Sequence, residues 1–395
     1  MRDLALNVLL IAGLQFVALA VAQDIPPYTE DCRNGTYPPP STEEPAETFV
    51  LNLDISPDAR WSPLIKKKAP AMKALVDDII DLIAPFLKNV TKGIEFVDEL
   101  FAPLAEGFPE PYKSEVHGVA KASGLPLGQV VLYNVFYEVF TFCTSIVAED
   151  ETGKLYHARN LDFGLFLGWD IKNKTWALTE RLRPLIVNID YQVKGKTVAK
   201  AVHFAGYLGV LTGVKPDVFT VSMNERFNLD GGYLGILEWI LGDHNGKWMG
   251  FELRDTLVNA QSFDEAMHTL TTVEFLAPAY IILGGNKTGQ GAIITRDRKS
   301  TADVKMMKGT DADWFLVQTN YDNWKDPPFF DDRRTPATKC MTRVTRKSVG
   351  LPRIFDVLST KPVMNLLTTY TALMEVKGGH LETYIRHCAQ PCWPW

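Results

Sequence analysis

The stretch TFCTSIVAEDETGKLYHARNLDFG, residues 141–164, decides how the fold is predicted. Two runs of β-forming residues, TSIVAE and KLYHAR, flank the turn-forming letters DETG, a pattern that predicts a β-hairpin. A five-residue loop over 149–153 would place Cys143 opposite Arg159, whereas a four-residue loop would slip the pairing by one and turn Arg159 to the other face. In either register the guanidinium starts within one residue of the thiol, and Asp162 lies just beyond the return strand.

The part of the chain before this hairpin predicts an irregular arm followed by helices. Residues 23–48 are rich in Pro, Thr and Glu, and residues 62–140 read as helical. One helix, over 71–90, has apolar positions at helical spacing, for which packing on the chain's own core is favoured over contact with lipid. These positions are Leu75, Ile79, Leu82 and Ile83. Pro85 should end or kink this helix.

The part after the hairpin predicts further short strands separated by turns and by blocks of helix. The strand candidates are 184–193, 196–204, 218–224, 280–285, 291–297, 314–320 and 368–376, and the helical blocks are 231–241 and 262–273. Adjacent strands joined by tight turns are typical of antiparallel sheets, and helices in separate blocks argue against a doubly wound parallel sheet. The sequence therefore predicts the α+β class.

The residue types at the hairpin suit nucleophilic chemistry. A thiol attacks as the thiolate, and a fixed cation close by, such as the Arg159 guanidinium, lowers the pKa of a thiol. Asp162 could orient that arginine or an amine. The alternative is a buried cysteine next to a structural Arg–Asp ion pair, and the spacing alone does not separate the two interpretations.

The cysteine count points to the same thiol. The chain has five cysteines, so full pairing leaves one over. If Cys143 is free, the remaining four can pair in three ways, and each way joins Cys32 to a cysteine beyond 143. Every complete pairing would therefore connect the segment before Cys143 to the segment after it by a disulfide. The other three cysteines are Cys340, Cys388 and Cys392.

The N-terminus predicts a secreted or lumenal protein. Residues 1–22 combine Arg2, an apolar run and the small residues Ala20-Val21-Ala22, which is typical of a cleaved signal peptide. Behind it lie glycosylation sequons at Asn34, Asn89, Asn173 and Asn286. The sequence pI of about 5.7 allows the charge to become positive in an acid compartment, which would favour an anionic membrane surface.

Other kinds of site find little support in the sequence. The net charge of -6 and the absence of a basic stripe argue against nucleic acid as a partner. No zinc-type spacing of Cys and His occurs, so neither a metal nor another cofactor is expected. His157 alternates with its neighbours as a strand residue would, which makes a structural role the preferred interpretation.

Longer motifs resemble the acid ceramidase family, which are N-terminal-nucleophile hydrolases of the cholylglycine hydrolase group. The resemblance runs from CTSIVAED and HARNLDFG to the end of the chain. It continues through FAGYLGVLTGVKP, NERFNLDGGYLGILEWILG, LAPAYIILGGN, ITRDRKS, VQTNYDNWKDPPFFDDRRTPA and VLSTKPVMNLLTTYT. It implies an αββα sandwich, in which two antiparallel sheets lie between helical layers, preceded by a mainly helical chain.

The resemblance also implies residue roles. Cys143 corresponds to the nucleophile, which becomes N-terminal when the precursor cleaves itself at Phe142-Cys143. Arg159 and Asp162 correspond to the residues that position the thiolate and the free amine. Glu225 resembles a polar site residue, Asn320 an oxyanion donor and Arg333 a further site arginine. The implied disulfides are Cys32–Cys340 and Cys388–Cys392.

The activity implied by the resemblance is a lysosomal ceramidase that splits ceramide into sphingosine and fatty acid, with secretion as a second destination. Its two chains would be 23–142 and 143–395. A saposin-type activator would be a possible partner. The nearest alternative is an N-acylethanolamine acid amidase, and a rival of another class is a lipid carrier whose thiol is incidental.

Overall fold

The computed structural model describes residues 32–40, 43–83, 98–136, 141–163, 168–227, 234–390 and 392 of the 395-residue chain. The expected signal segment 1–22, the sequon at Asn89 and the helix end at Pro85 lie outside these residues. Within the described ranges, no helix is both long enough and apolar enough to span a bilayer.

The part of the chain before Cys143 is mainly helical, as predicted. Its elements are strand β1 (Glu47–Asn52), helices α1 (Pro57–Arg60) and α2 (Ser62–Ile83), a 3-10 helix (Ala102–Gly107), and helices α3 (Tyr112–Ser123) and α4 (Leu127–Phe136). Helix α2 begins before the predicted start at 71 and includes Pro70. Its Leu75 and Ile79 side chains are 1% and 3% exposed, so this face packs on the chain's own core.

The part from residue 141 onward alternates strands with blocks of helix. Its first elements are β2 (Thr141–Glu149), β3 (Leu155–Phe163), β4 (Trp169–Asp170), β5 (Thr175–Trp176), α5 (Ala177–Leu182), β6 (Ile186–Val193), β7 (Lys196–Phe204), β8 (Thr212–Lys215), β9 (Phe219–Glu225) and α6 (Leu234–Ile240). The later ones are α7 (Met249–Asn259), α8 (Phe263–Thr272), β10 (Ala279–Gly285), β11 (Gly291–Arg296), β12 (Thr301–Met306), β13 (Phe315–Gln318), α9 (Arg334–Val344), α10 (Leu351–Leu358), β14 (Thr368–Glu375) and β15 (His380–Ile385).

The strands form two large sheets that pack face to face. One sheet has the order β1-β6-β7-β8-β9-β10-β11-β12, and the other has the order β13-β2-β3-β14-β15. Neighbouring strands in both sheets are antiparallel except β1, which pairs with β6 in parallel. Helices α7 and α8 pack on the first sheet, and α9 and α10 pack on the second. This layering confirms the α+β class and the predicted sandwich, with one parallel edge strand added.

Residues before and after Cys143 are joined by buried contacts as well as by a covalent bond. The disulfides are Cys32–Cys340 and Cys388–Cys392, as the resemblance implied. Glu115 of α3 is fully buried and forms an ion pair with Arg254 of α7, whose Nη2 lies 2.7 Å from Oε1. The described helices before Cys143 therefore pack into the core rather than lying on the surface.

Candidate active site

The hairpin that carries the free cysteine has neither of the predicted registers. Cys143 of β2 lies opposite Leu161 of β3, and Ser145 lies opposite Arg159. Because side chains alternate along a strand, Arg159 shares a face with Cys143 and lies diagonally across from it. The expected proximity is confirmed, but the pairing is shifted by two residues from the five-residue loop and by one from the four-residue loop.

The turn of the hairpin explains this shift. The loop spans 150–154, one residue later than predicted, because Asp150 closes it with its own side chain. The Asp150 carboxylate accepts hydrogen bonds from the N–H groups of Thr152 and Lys154 at 2.8 and 3.1 Å. Glu149, expected in the loop, ends β2, and its buried carboxylate accepts a bond from Arg346 at 2.6 Å.

The thiol of Cys143 lies between the two sheets and is wholly buried. It is the free cysteine of the described residues, and Nη2 of Arg159 donates a hydrogen bond to its Sγ. Sγ also lies 3.8 Å from the carbonyl oxygen of Met223. The thiol and the guanidinium are thus in direct contact, as the nucleophile interpretation requires.

Burial and charge act in opposite directions on this thiol. Removal from water disfavours the thiolate and raises the pKa of Cys143 to about 11, and Arg159 opposes that rise. Asp162 and Glu225 raise the pKa further, whereas Arg333 lowers it. With the Phe142–Cys143 peptide bond intact, the thiol therefore holds its proton at neutral and acid pH.

Asn320 holds the backbone of the cysteine. Its Oδ1 accepts a hydrogen bond from the Cys143 N–H at 2.9 Å and another from Nη2 of Arg333 at 2.8 Å. Its Nδ2 donates to the carbonyl oxygen of Glu225 at 2.7 Å. The Asn320 amide thus accepts from the backbone nitrogen of Cys143 and donates to the end of β9. Glu225 itself is 3% exposed.

Arg333 connects the remaining site residues. Its Nη1 donates to the carbonyl oxygen of Cys143 at 2.7 Å and lies 3.2 Å from Oδ2 of Asp162. Asp331 accepts from Nε and Nη2 of this guanidinium at 2.7 and 3.0 Å, a bidentate pair that fixes its plane. The ring of Phe142 lies 5.8 Å from the same group.

Asp162 lies within β3, not beyond its end as predicted. It pairs with Phe142, so its carboxylate is on the opposite face of the sheet from the thiol. It accepts hydrogen bonds from Oγ1 of Thr368 at 2.6 Å and from Nδ2 of Asn365 at 3.2 Å. Burial raises the pKa of Asp162, and Arg333 and these two donors oppose the rise.

The other candidate residues either have a structural role or lie at the surface. His157 is a buried residue of β3 that bonds the hydroxyls of Thr220 and Ser222 at 2.9 and 2.8 Å, in keeping with the structural interpretation. Burial lowers the pKa of His157 to about 3, so its ring is neutral. The sequons at Asn34, Asn173 and Asn286 are exposed. In the parts of the chain that the structure describes, no group of His, Cys, Asp and Glu could hold a metal ion.

Several residues that contact the predicted set were not identified from the sequence. Asp331 could have been predicted as a partner of Arg333 because it lies two positions before it in DDRR, but aspartates are also common in ordinary loops. Thr368 and Asn365 had no such signal, because their approach to Asp162 depends on the pairing of β14 with β3. Threonine and asparagine are also frequent in ordinary turns.

Comparison with known proteins places these residues in a family context. Residues 143–388 match the model for linear amide C–N hydrolases of the choloylglycine hydrolase family, and residues 44–108 match the model for the beta subunit of N-acylethanolamine-hydrolyzing acid amidase. Acid ceramidases from Pan troglodytes and Homo sapiens are 51% and 50% identical over 381 residues, which cover 96% of this chain and of each relative.

A solved structure gives a third comparison. The Caenorhabditis elegans ortholog of N-acylethanolamine-hydrolyzing acid amidase is 32% identical and superimposes with a TM-score of 0.53. The match covers 62% of this chain and 100% of that chain. The sandwich described above is thus shared with a known amidase fold.

Proposed function

This chain belongs to the choloylglycine hydrolase family of linear amide C–N hydrolases, and we propose that it hydrolyses the amide bond of ceramide to sphingosine and a fatty acid. The single observation that carries this proposal is the buried contact between the Cys143 thiol and Arg159. The acid ceramidases, about half identical over nearly the whole chain, support ceramide as the substrate.

The first step of the proposed chemistry is cleavage of the chain by itself. The sulfur of Cys143 attacks the carbonyl carbon of Phe142, and the proton of the thiol is transferred to the peptide nitrogen. The peptide nitrogen leaves with a proton, and water then hydrolyses the resulting thioester. The products are a chain ending at Phe142 and a chain beginning with Cys143, which carries a free amine. The two chains would be 23–142 and 143–395, linked by Cys32–Cys340.

The second step uses the same sulfur on the lipid. The new amine is the local base for the thiol, and the thiolate attacks the ceramide carbonyl. The tetrahedral intermediate collapses with loss of sphingosine, whose nitrogen takes a proton, and water hydrolyses the thioester to free fatty acid. Arg159 and Arg333 favour the neutral form of the amine, whereas Asp162 favours its charged form.

Asn320 has a defined task in this scheme. Its Oδ1 holds the nitrogen that becomes the amine, which keeps the base next to the sulfur. Nδ2 carries two N–H groups, and one of them donates to the Glu225 carbonyl oxygen; in the proposed scheme the other donates to the oxyanion of the intermediate. Loss of one such donor typically lowers the rate by about 10²–10³-fold.

The proposed location is the lysosome, with secretion as a second destination. The sequons at Asn34, Asn173 and Asn286 are exposed, which would permit glycosylation. Contact with an anionic membrane surface and with a saposin-type activator would deliver a substrate that is insoluble in water. Both partners belong to the proposal.

A second candidate function is hydrolysis of N-acylethanolamines. The solved nematode amidase and the amidase model that matches residues 44–108 favour it. The same thiol would act on an amide with a smaller head group.

The experiment that separates these functions is hydrolysis of ceramide and palmitoylethanolamide side by side at acid pH, with Cys143→Ala as the control. We expect wild type to release fatty acid faster from ceramide and the variant to release none. A strong preference for the ethanolamide would favour the second candidate. Ceramide binding by both forms without release of fatty acid would indicate a lipid carrier instead.

A further inference from the structure

The guanidinium of Arg159 is held in place by the sheet that faces its own. Arg159 is wholly buried, and its Nη1 donates to the carbonyl oxygen of Leu211 at 2.7 Å and to Oγ1 of Thr212 at 2.9 Å. Its Nη2 is directed at Sγ of Cys143. Among the described residues, no carboxylate forms an ion pair with Arg159, so hydroxyl, carbonyl and thiol groups alone fix its position.

Thr212 is itself fixed by a second hydroxyl. The phenol oxygen of Tyr370 lies 2.8 Å from Oγ1 of Thr212, and both residues are almost wholly buried. Burial raises the pKa of Tyr370 to about 12, so the phenol keeps its proton at every pH at which the enzyme would work. Thr212 belongs to β8 and Tyr370 to β14, so this hydroxyl pair connects the two sheets.

We propose that Thr212, supported by Tyr370, is a positioning residue that keeps Arg159 directed at the nucleophilic sulfur. This inference rests on the proposed function, in which Cys143 is the nucleophile. The guanidinium is a rigid planar fork, so fixing Nη1 on the Leu211 carbonyl and the Thr212 hydroxyl determines where Nη2 points. The Thr212 hydroxyl bonds Arg159 and Tyr370, and in this proposal it acts through Arg159.

Loss of the Thr212 hydroxyl has a defined consequence. Nη1 would keep the Leu211 carbonyl as its acceptor and lose its hydroxyl partner, so the fork could turn away from the sulfur. The thiolate would then lose part of the positive charge that stabilises it, and the pKa of the thiol would rise. A residue that served only to pack the core would lower stability without changing the titration of the thiol.

The test uses Thr212→Val, which has the size of threonine without its hydroxyl. Thr212→Ser keeps the hydroxyl and removes only the methyl group, and Thr220→Val is the matched control. Thr220 is 1% exposed and bonds His157 rather than Arg159. For each purified protein, alkylation of Cys143 by iodoacetamide is measured against pH, together with kcat and KM on ceramide.

We expect Thr212→Val to raise the midpoint of the alkylation profile by about one pH unit, which corresponds to about tenfold slower alkylation below that midpoint. Its kcat should fall with little change in KM, and Thr212→Ser should recover most of the loss. Thr220→Val should lose stability and keep the wild-type profile. If Thr212→Val does not fold, Tyr370→Phe should give a smaller shift of the same sign.

Two results would overturn the inference. One is a Thr212→Val profile that coincides with wild type, and the other is an equal shift in Thr220→Val. If Thr212→Val cannot be purified, a wild-type profile in Tyr370→Phe would count equally against it. Alkylation does not require turnover, so a wild-type protein that hydrolyses no amide would contradict the proposed function while the shift in Thr212→Val still supported the positioning role.

Discussion

The reactivity of single residues in this site depends on how burial is offset by charge. Cys143 is fully buried, and burial alone would leave its thiol inert. Arg159 reaches the sulfur from the same strand pair, and Arg333 reaches the backbone carbonyl of the same cysteine. Two cations next to one thiol are costly to bury. Arg333 is offset by the carboxylates of Asp331 and Asp162, whereas Nη1 of Arg159 is held by the Leu211 carbonyl and the Thr212 hydroxyl.

The first residue-scale prediction concerns Asp162→Asn. The amide has the same shape but no charge, so it cannot neutralise Arg333, and its NH₂ group would meet the donors of Thr368 and Asn365. We expect the variant to fold and be secreted, with cleavage at Phe142-Cys143 and ceramide turnover reduced by about 10²-fold or more. Gel analysis of the cleaved fraction and a turnover assay measure the two effects.

The control for Asp162→Asn is Glu115→Gln, which makes the same chemical change in another fully buried carboxylate paired with arginine. Glu115→Gln should lower thermal stability and leave cleavage per folded molecule near the wild-type value. Normal cleavage in Asp162→Asn, or equal losses in both variants, would remove Asp162 from the site.

The sequence could predict only part of the site at this scale. Cys143, Arg159 and Asp162 lie on one hairpin, and local spacing correctly predicts the contact of Arg159 with the thiol, whereas Asp162 lies on the other face of the sheet. Asn320 and Arg333 come from 177 and 190 positions further along the chain, and only the family resemblance identified them. The contact between Thr368 and Asp162 depends on the pairing of strands whose residues are 206 positions apart, and no pattern in a single sequence predicts that pairing.

At the scale of elements, the register of the β2–β3 hairpin depends on hydrogen bonds within its turn, which the periodicity of the strands does not reveal. The runs on either side of DETG correctly predicted two paired strands, but the register depended on Asp150. Its carboxylate bonds the N–H of Thr152 and the N–H of Lys154, which moves the loop to 150–154. The side chain of an aspartate can accept a hydrogen bond from the backbone N–H two residues further on. This bond sets a loop length that a count of strand-forming residues does not predict.

Strands β8 and β12 and the start of helix α2 were not predicted from the sequence, for two physical reasons. Strand β8 has four residues and β12 is largely exposed, so neither shows the alternation that identifies a half-buried strand. Helix α2 extends past Pro70 because its buried face continues on both sides of the proline, with Ile65 and Met72 fully buried. Tertiary packing outweighed local propensity there.

At the scale of the whole molecule, the segment before Cys143 and the segment after it form one folded unit. Strand β1 extends the eight-stranded sheet, and Glu43 and Glu115 form ion pairs with Arg386 and Arg254 of the other segment. The sequence predicted the covalent link through Cys32. It did not predict the buried ion pairs, because charged residues usually face solvent.

Buried histidines give a prediction about acid stability of the whole fold. Burial lowers the pKa of His157 and of His203 to about 3, whereas an unfolded histidine has a pKa of about 6.5. Below pH 6.5 the unfolded chain therefore binds protons that the folded chain does not, so the free energy of unfolding falls as the pH drops toward 3. At pH 4.5 each histidine lowers it by about 2–3 kcal/mol.

His157→Gln removes one of these titrations and keeps a polar group next to Thr220 and Ser222. Urea unfolding at pH 7 and pH 4.5 should show an acid-induced loss smaller than that of wild type by about 2 kcal/mol. His117 is exposed, so His117→Gln should keep the wild-type dependence. An unchanged loss in His157→Gln would mean that this imidazole is protonated in the folded chain or not buried in solution.

In the proposed mechanism, Cys143 cuts its own chain and then serves as the N-terminal nucleophile. The most direct test is N-terminal sequencing of the purified protein after acid incubation, next to Cys143→Ala. We expect a new N-terminus at Cys143 in wild type only. A wild-type chain that stays uncut under every acid condition, or a Cys143→Ala chain cut at the same bond, would contradict it.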